Sequence, residues 1–141
     1  MSKASFIHMF KYLLILTLFG CTSVIAQSKP AAATTGKQLY AQYCLTCHQL
    51  DGNGVPNLNP PLAKNSYVLG DKKKLIAWVL QGTGEEKVPI DGKFYNNNMP
   101  AQAHLKDDEI AKILTYVRSN FGNKASSVSS TEVKTERAAV Q

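Results

Sequence analysis

The residues best suited to chemistry stand together in one pentapeptide, Cys44-Leu45-Thr46-Cys47-His48. On a helix, its two thiols lie one turn apart, and the imidazole that follows projects toward the same side. Three chemistries use such a set of groups: a redox-active dithiol, a zinc site, and covalent attachment of a porphyrin through its two vinyl groups. The remaining sequence discriminates among them.

Two of these chemistries lack the partners that they need. A thioredoxin-like dithiol requires a βαβ context, and the sequence shows no such pattern. A zinc site takes about four ligands. Once a cleaved leader is removed, His104 is the one further Cys or His in the chain, and no second paired motif is present. The pentapeptide therefore predicts a single haem bound covalently through Cys44 and Cys47.

Length and charge limit the other classes of protein. The chain has 141 residues, of which 44% are hydrophobic and 18% charged, enough for one domain. Its formal net charge is +6, but the stretch 36–122 holds ten basic residues against eight acidic ones, a net +2. Nucleic-acid binding requires a clustered basic face, so no nucleic-acid partner is expected. Three cysteines cannot form a multi-disulfide scaffold.

The first 26 residues have the three-part layout of a secretory signal peptide. Residues 1–11 carry two lysines, 12–20 are nearly all apolar, and Val24-Ile25-Ala26 offers slim residues before Gln27. An uncleaved anchor is the alternative, although the apolar run is shorter than the span of about 20 residues that a bilayer requires. We therefore expect a periplasmic or otherwise exported protein.

Cys21 leaves a second processing route open. Leu18-Phe19-Gly20-Cys21 resembles a bacterial lipoprotein cleavage box, in which the cysteine becomes a lipidated N-terminus. That route would anchor the exported protein to a membrane through Cys21. Under cleavage after Ala26, Cys21 is instead discarded with the leader.

Three helices are expected to position the pentapeptide. They are predicted over 36–48, 72–81 and 107–121 from apolar residues at helical spacing and from capping residues. Residues 27–35 are expected to form a linker, and 123–141, rich in Ser, Thr and Ala, to be disordered. A domain of three short helices over 36–122 buries little apolar surface, and an attached haem would supply the missing core.

The motifs of 36–122, in their order, resemble the class I cytochrome c family. They are Gly36 and Tyr40 ahead of the pentapeptide, Gly52-Asn53-Gly54, Pro60-Pro61-Leu62, Met99-Pro100 and a closing amphipathic helix. The resemblance implies an all-α, cytochrome c-like fold in which three or more short helices surround the haem. It also implies that Gly36 and Tyr40 pack against Ile113 and Tyr116 where the first helix crosses the last.

The resemblance also implies the ligands of the iron. His48 would be the proximal ligand, with its ring oriented by the carbonyl of Pro60 or, alternatively, Pro61. Met99, the sole methionine after residue 26, would be the distal ligand. His104 is the rival distal ligand, which would give a lower reduction potential.

Other residues have two interpretations each. Trp78, Tyr67 and Tyr95 could donate hydrogen bonds to haem propionates or could be ordinary core aromatics. Lys72, Lys73 and Lys74 form the one short basic run, which is either a docking surface for an acidic partner or a solvated helix face.

With both axial positions filled, the haem offers no open site for a substrate. The sequence therefore predicts a monomeric one-electron carrier with transient redox protein partners, no enzyme activity and no catalytic residue. A dedicated electron-accepting subunit of a periplasmic dehydrogenase or reductase is an alternative. A five-coordinate haem peroxidase or sensor is another, should Met99 not bind the iron.

Overall fold

The computed structural model describes residues 34–84, 87 and 89–140. The predicted signal peptide 1–26, Cys21 and most of the linker 27–35 lie outside the described residues. Within these ranges the chain forms six helices and no strand: α1 (Gly36–Tyr43), α2 (Leu45–His48), α3 (Ser66–Leu69), α4 (Lys72–Gln81), α5 (Asp107–Ser119) and α6 (Ser130–Val140). The prediction of an all-α fold is confirmed. None of the described helices is long and apolar enough to cross a bilayer.

Helix α1 begins at a capping box formed by Thr35 and Gln38. The Thr35 hydroxyl accepts from the backbone N–H of Gln38 (3.3 Å), and the Gln38 side chain accepts from the backbone N–H of Thr35 (2.8 Å). The expected single helix over 36–48 is divided at Cys44, where φ widens to −116°. Backbone hydrogen bonds from Cys44 to Tyr40 and from His48 to Cys44, each 2.9 Å, still link α1 to α2.

Helix α4 has the predicted bounds because local signals set both of its ends. The Asp71 carboxylate accepts from the backbone N–H of Lys73 (2.7 Å), and Gly82 ends the helix in the left-handed region (φ 71°). The apolar stripe of α4 is buried; its members are Leu75, Ile76, Val79 and Leu80.

Helix α5 supplies the largest apolar face of the described core. Its buried residues include Ile110, Ile113, Leu114 and Val117. The helix ends at Ser119, two residues earlier than predicted. It stops there because Phe121 and Gly122 adopt left-handed backbone conformations (φ 57° and 77°), which turn the chain away from the helix axis.

Helices α1 and α5 cross at Gly36, as the resemblance implies for the first helix and the amphipathic helix that ends 36–122. A Cβ atom at Gly36 would lie 2.2 Å from the backbone oxygen of Lys112 and 2.9 Å from Cβ of Tyr116. The Tyr40 ring packs on Tyr116, with 5.5 Å between centroids. Lys112, rather than Ile113, faces the glycine. Only a residue without a side chain permits this approach.

The C-terminal segment differs from its expected disorder. Residues 130–140 form α6, which contacts both α4 and α5. Val128 and Val133 are buried. The Ser129 hydroxyl accepts from the Glu132 backbone N–H (3.2 Å), and the Glu132 carboxylate accepts from the Ser129 backbone N–H (2.7 Å), which completes a capping box.

Polar contacts also fix α6, and these explain why composition failed to reveal it. Arg137 bonds to the carboxylate of Asp107 (2.7 Å) and to the carbonyls of Ala103 (2.8 Å) and Leu105 (2.7 Å). Lys72 forms an ion pair with Glu132. The segment is therefore held by charges and backbone carbonyls that lie far away in the chain, together with two buried valines.

Candidate functional site

An apolar cleft lies between the pentapeptide, α4, α5 and the loop that precedes α5. Its aliphatic and aromatic wall includes Leu75, Trp78, Val79, Ile113, Leu114 and Val117. Cys44, Cys47, His48 and Met99 line the same cleft. The fold thus brings together a pair of thiols, an imidazole and a thioether from segments about fifty residues apart.

The two thiols differ in exposure but share one cleft. Cys44 is half-buried, Cys47 is exposed, and both are free cysteines. Burial, with a smaller contribution from Cys47, raises the pKa of the Cys44 thiol to about 11. The raised pKa shows that the Cys44 thiol lies in apolar surroundings, which are the surroundings that an apolar group would share.

His48 is held in one orientation by a backbone carbonyl. Its Nδ1 atom lies 3.0 Å from the oxygen of Pro60, which is the bond expected from the sequence with Pro60 rather than Pro61. A carbonyl oxygen can only accept, so Nδ1 carries the proton and Nε2 keeps its lone pair. Burial lowers the pKa of the imidazole, against a smaller opposing effect of the Pro60 bond. A neutral ring with a free Nε2 is the form that binds a metal ion.

The glycines of Gly52-Asn53-Gly54 allow the Pro60 segment to approach His48. The Gly52 carbonyl accepts from the backbone N–H groups of Leu62 (2.7 Å) and Ala63 (3.2 Å). A Cβ atom at Gly54 would lie 2.5 Å from the oxygen of Pro60. The turn therefore needs a glycine at position 54, because the backbone there lies against that of Pro60. This requirement comes from the turn and not from the imidazole of His48.

Thr83 fixes the backbone on both sides of Met99, a contact that the sequence did not reveal. The Thr83 hydroxyl accepts from the Met99 N–H (2.9 Å), and the Met99 carbonyl accepts from the Thr83 N–H (3.1 Å). A Cβ atom at Gly82 would lie 2.4 Å from the Met99 oxygen. The signal for this contact in the sequence is Gly82, which both ends α4 and permits the close approach to Met99.

Some of the remaining candidate residues line the cleft and others lie outside it. His104 is exposed, packs edge-on against Tyr43 (5.8 Å between centroids) and is not among the cleft-lining residues. Trp78 and Tyr95 line the cleft. Tyr67 does not, and instead stacks on Trp78 with 4.4 Å between ring centroids. Lys72 is engaged by Glu132, which leaves Lys73 and Lys74 as the exposed part of the basic run.

The residues of the cleft fit a c-type haem. An apolar macrocycle needs apolar walls, two thiols one turn apart for its vinyl groups, and axial donors for its iron. The cleft offers such walls, two free thiols in the required spacing, one imidazole with a free Nε2, and one thioether.

Comparison with known proteins also indicates a protein that binds c-type haem. The family model "Cytochrome c" matches residues 33–121. One "Cytochrome c-552" of Thermus thermophilus is 35% identical over 96 residues, which cover 65% of this chain and 64% of the relative. A second cytochrome c-552 of the same species is 36% identical over 92 residues, or 62% of this chain and 69% of the relative.

Longer proteins share the same region. The cytochrome c subunit of the quinone-dependent alcohol dehydrogenase of Gluconobacter oxydans is 32% identical over 99 residues, which cover 70% of this chain but 20% of that subunit. This chain thus spans just under two thirds of the first Thermus cytochrome and a fifth of the dehydrogenase subunit.

The matched range contains α1 to α5, the cleft-lining thiols, His48 and Met99, and it ends before α6. The chain therefore belongs to the cytochrome c family of all-α electron-transfer proteins with covalently bound c-type haem, and its Cys44 and Cys47 fit the attachment motif.

Proposed function

We propose that the chain is a one-electron carrier in which Cys44 and Cys47 hold the haem, while His48 and Met99 are the axial ligands of its iron. The bound haem supplies a reversible ferrous/ferric couple. The observation that carries this proposal is the cleft itself, where a neutral imidazole and the Met99 side chain meet two free thiols.

Hydrogen bonds within the protein hold each of the two proposed ligands in place. The Pro60 carbonyl fixes the ring of His48, and Thr83 bonds both backbone groups of Met99. A neutral thioether at the distal position favours the reduced iron and so raises the potential. Fixed ligands change little in position between the two oxidation states, which suits rapid electron transfer.

The apolar wall serves the same purpose. Val79, Ile113 and Leu114 line the cleft and are buried in the core. They limit the access of water to the site, and solvent access is one of the factors that set a redox potential. These apolar side chains would surround the haem, and none of the three carries a group that could act on a substrate.

Carbon monoxide tests the proposed ligation. With His48 and Met99 both bound, the ferrous protein should resist carbon monoxide, and its absorption spectrum should stay unchanged. Rapid, complete formation of a carbon monoxide adduct at neutral pH would show an open distal position. That result would instead support a five-coordinate haem peroxidase or sensor.

A dehydrogenase is the partner class that the comparisons favour. Relatives include the "Fructose dehydrogenase cytochrome subunit" of Gluconobacter japonicus, 35% identical over 115 residues. The chain would accept electrons from such an enzyme, either as a free monomeric shuttle in brief encounters or as a bound subunit. Size-exclusion chromatography of the native extract separates the two: a shuttle elutes at its own mass, and a subunit elutes with its enzyme.

The N-terminal segment indicates where in the cell the proposed carrier would act. Residues 1–26 have the composition of a secretory signal, and Cys21 stands in a lipoprotein-like box. We propose a periplasmic location, with membrane anchoring only if Cys21 is lipidated. N-terminal sequencing and intact mass would distinguish Gln27 as the first residue from an acylated Cys21.

A further inference from the structure

Asn123 is a buried amide that lies just beyond the family-matched range. It is 4% exposed. Its Nδ2 group donates to the carbonyls of Val117 (2.8 Å) and Leu62 (3.0 Å), and its Oδ1 accepts from the backbone N–H of Lys64 (2.8 Å). One side chain thus joins the end of α5 to the segment 62–64.

The turn after α5 brings Asn123 onto that segment. Phe121 and Gly122 are both left-handed, and the Asn123 backbone N–H bonds to the carbonyl of Asn120 (2.9 Å). The ring of Phe121 lies directly over Gly52, where a Cβ atom would approach to 2.5 Å. The turn therefore places both Phe121 and Asn123 against the backbone near His48.

Besides Asn123, the Gly52 carbonyl holds this part of the chain, since it accepts from the backbone N–H groups of Leu62 (2.7 Å) and Ala63 (3.2 Å). Pro60 and Pro61 have no N–H to donate. The carbonyl of Pro61 accepts from the side chain of Asn65 (2.7 Å). Lys64 adopts a left-handed conformation (φ 53°) that a non-glycine residue does not favour. The N–H of Lys64 donates to Oδ1 of Asn123, and this bond stabilises the left-handed conformation.

We propose that Asn123 is a positioning residue for the proximal ligand. By fixing Leu62 and Lys64, it keeps the carbonyl of Pro60 on Nδ1 of His48. A hydrogen bond at Nδ1 makes the imidazole a stronger donor to a metal ion, which favours the ferric state and lowers the potential. This inference rests on the proposed function, because it requires His48 to bind the iron.

Variants of the holoprotein test the role of Asn123. Asn123→Ala removes all three side-chain hydrogen bonds. Asn123→Leu matches the volume, adds no charge and also removes all three bonds, and it carries the test if the alanine variant yields no holoprotein. Asn120→Ala is the matched control, since the Asn120 side chain donates to the carbonyl of Tyr116 (2.9 Å) at the end of the same helix and does not bond to 60–64.

The readouts are hydrogen exchange of the His48 Nδ1–H, measured by NMR on ¹⁵N-labelled ferrous protein, and the midpoint potential. Loss of the Asn123 hydrogen bonds should accelerate exchange of the His48 Nδ1–H on the order of fivefold, which corresponds to the free energy of one hydrogen bond. It should also raise the midpoint potential. The backbone amide of Ile110, a fully buried core residue, reports global opening and should not be accelerated as much. Asn120→Ala should match the wild type in both readouts.

The outcomes separate this inference from the proposed function. If the wild type shows no NMR signature of an iron-bound His48, the proposed ligation fails. If the wild type shows it, but the Asn123 variants match Asn120→Ala in Nδ1–H exchange and in potential, the inference is overturned and Asn123 only caps the helix.

Discussion

Nδ1 of His48 and the carbonyl oxygen of Pro60 lie 3.0 Å apart, although the two residues are twelve positions apart in the chain. This single bond sets the tautomer of the ring and leaves Nε2 directed to a ligand. The short turn that makes it relies on the close approach permitted by Gly54. In the proposed ligation, backbone geometry therefore orients the proximal ligand, and one side chain, that of Met99, supplies the distal ligand.

Replacement of Met99 tests the distal half. Met99→Ala should keep the covalent haem but lose the weak sulfur-to-iron absorption band near the red end of the ferric spectrum. The potential should fall, because a neutral thioether no longer favours the reduced iron. Absorption spectroscopy and redox titration measure both effects.

His104→Ala is the control for that variant, since His104 is exposed and lies outside the cleft. It should leave the band and the potential unchanged. A wild-type ferric spectrum that lacks this band, together with a potential that changes in His104→Ala but not in Met99→Ala, would reverse the assignment of the distal ligand.

Gly36→Ala tests the helix crossing. In an open helix, alanine is more stable than glycine by about 0.5–1 kcal/mol. At Gly36 the added Cβ would lie 2.2 Å from the backbone oxygen of Lys112, so the helices must separate. We expect a loss of about 1–3 kcal/mol in the free energy of unfolding, measured by denaturant titration of the holoprotein.

Lys37→Ala is the matched control, because Lys37 is exposed on the same helix. It should change the free energy of unfolding by less than about 0.5 kcal/mol. A Gly36→Ala variant more stable than the wild type would show that α1 and α5 do not approach as described.

Acid should loosen α6. Hydrogen bonds from Lys72 and Ser129 lower the pKa of Glu132 to about 2 from its usual 4.5. A depressed carboxylate pKa stabilises the folded state above the unfolded pKa, and this stabilisation is lost as pH falls from about 4.5 toward 2. The protection factor of the buried Val133 amide, which is the intrinsic exchange rate at each pH divided by the observed rate, should therefore fall across that window.

Glu132→Gln should show faster exchange of Val133 already at neutral pH and a weaker dependence on acid. Glu136→Gln, which removes the same charge from the same helix, should behave as the wild type does. Equal pH profiles for all three proteins would argue against the contribution of the Lys72–Glu132 pair.

Arg137 should contribute more to stability than an ordinary surface charge. It bonds to Asp107 and to the carbonyls of Ala103 and Leu105. Hydrogen bonds to charged groups contribute about 1.5–3 kcal/mol each when one partner is removed. Arg137→Met should therefore lower the free energy of unfolding by about 2 kcal/mol, as measured by urea titration. Lys134→Met, at an exposed position of α6, should cost much less.

The sequence predicted those parts of the fold that short-range signals determine. Asp71 and Gly82 bound α4 correctly because capping acts within a few residues. The break at Cys44 was missed, since no Gly or Pro marks it. Helix α6 was missed although Ser129 and Glu132 form a short-range capping box. Its other supports, such as the partner of Arg137 thirty residues away, leave no trace in composition.

The sequence likewise indicated some residues of the candidate site and missed others. The Cys44–His48 pentapeptide stood out by spacing alone, whereas Met99 was assigned only through the family resemblance. Thr83 and Asn123 were missed because their role lies in hydrogen bonds to backbone groups distant in sequence. Polar residues of this kind have no motif, and only the folded chain shows what they hold.

Intact mass of the denatured, exported protein tests the central claim most directly. Denaturation releases any haem held by coordination alone, so a covalent haem remains as added mass. We predict the mass of the mature polypeptide plus one haem, with the addition reduced or lost in a Cys44→Ser, Cys47→Ser double variant. A colourless wild-type product with the mass of the bare polypeptide, made in cells that mature other c-type cytochromes, would contradict covalent attachment.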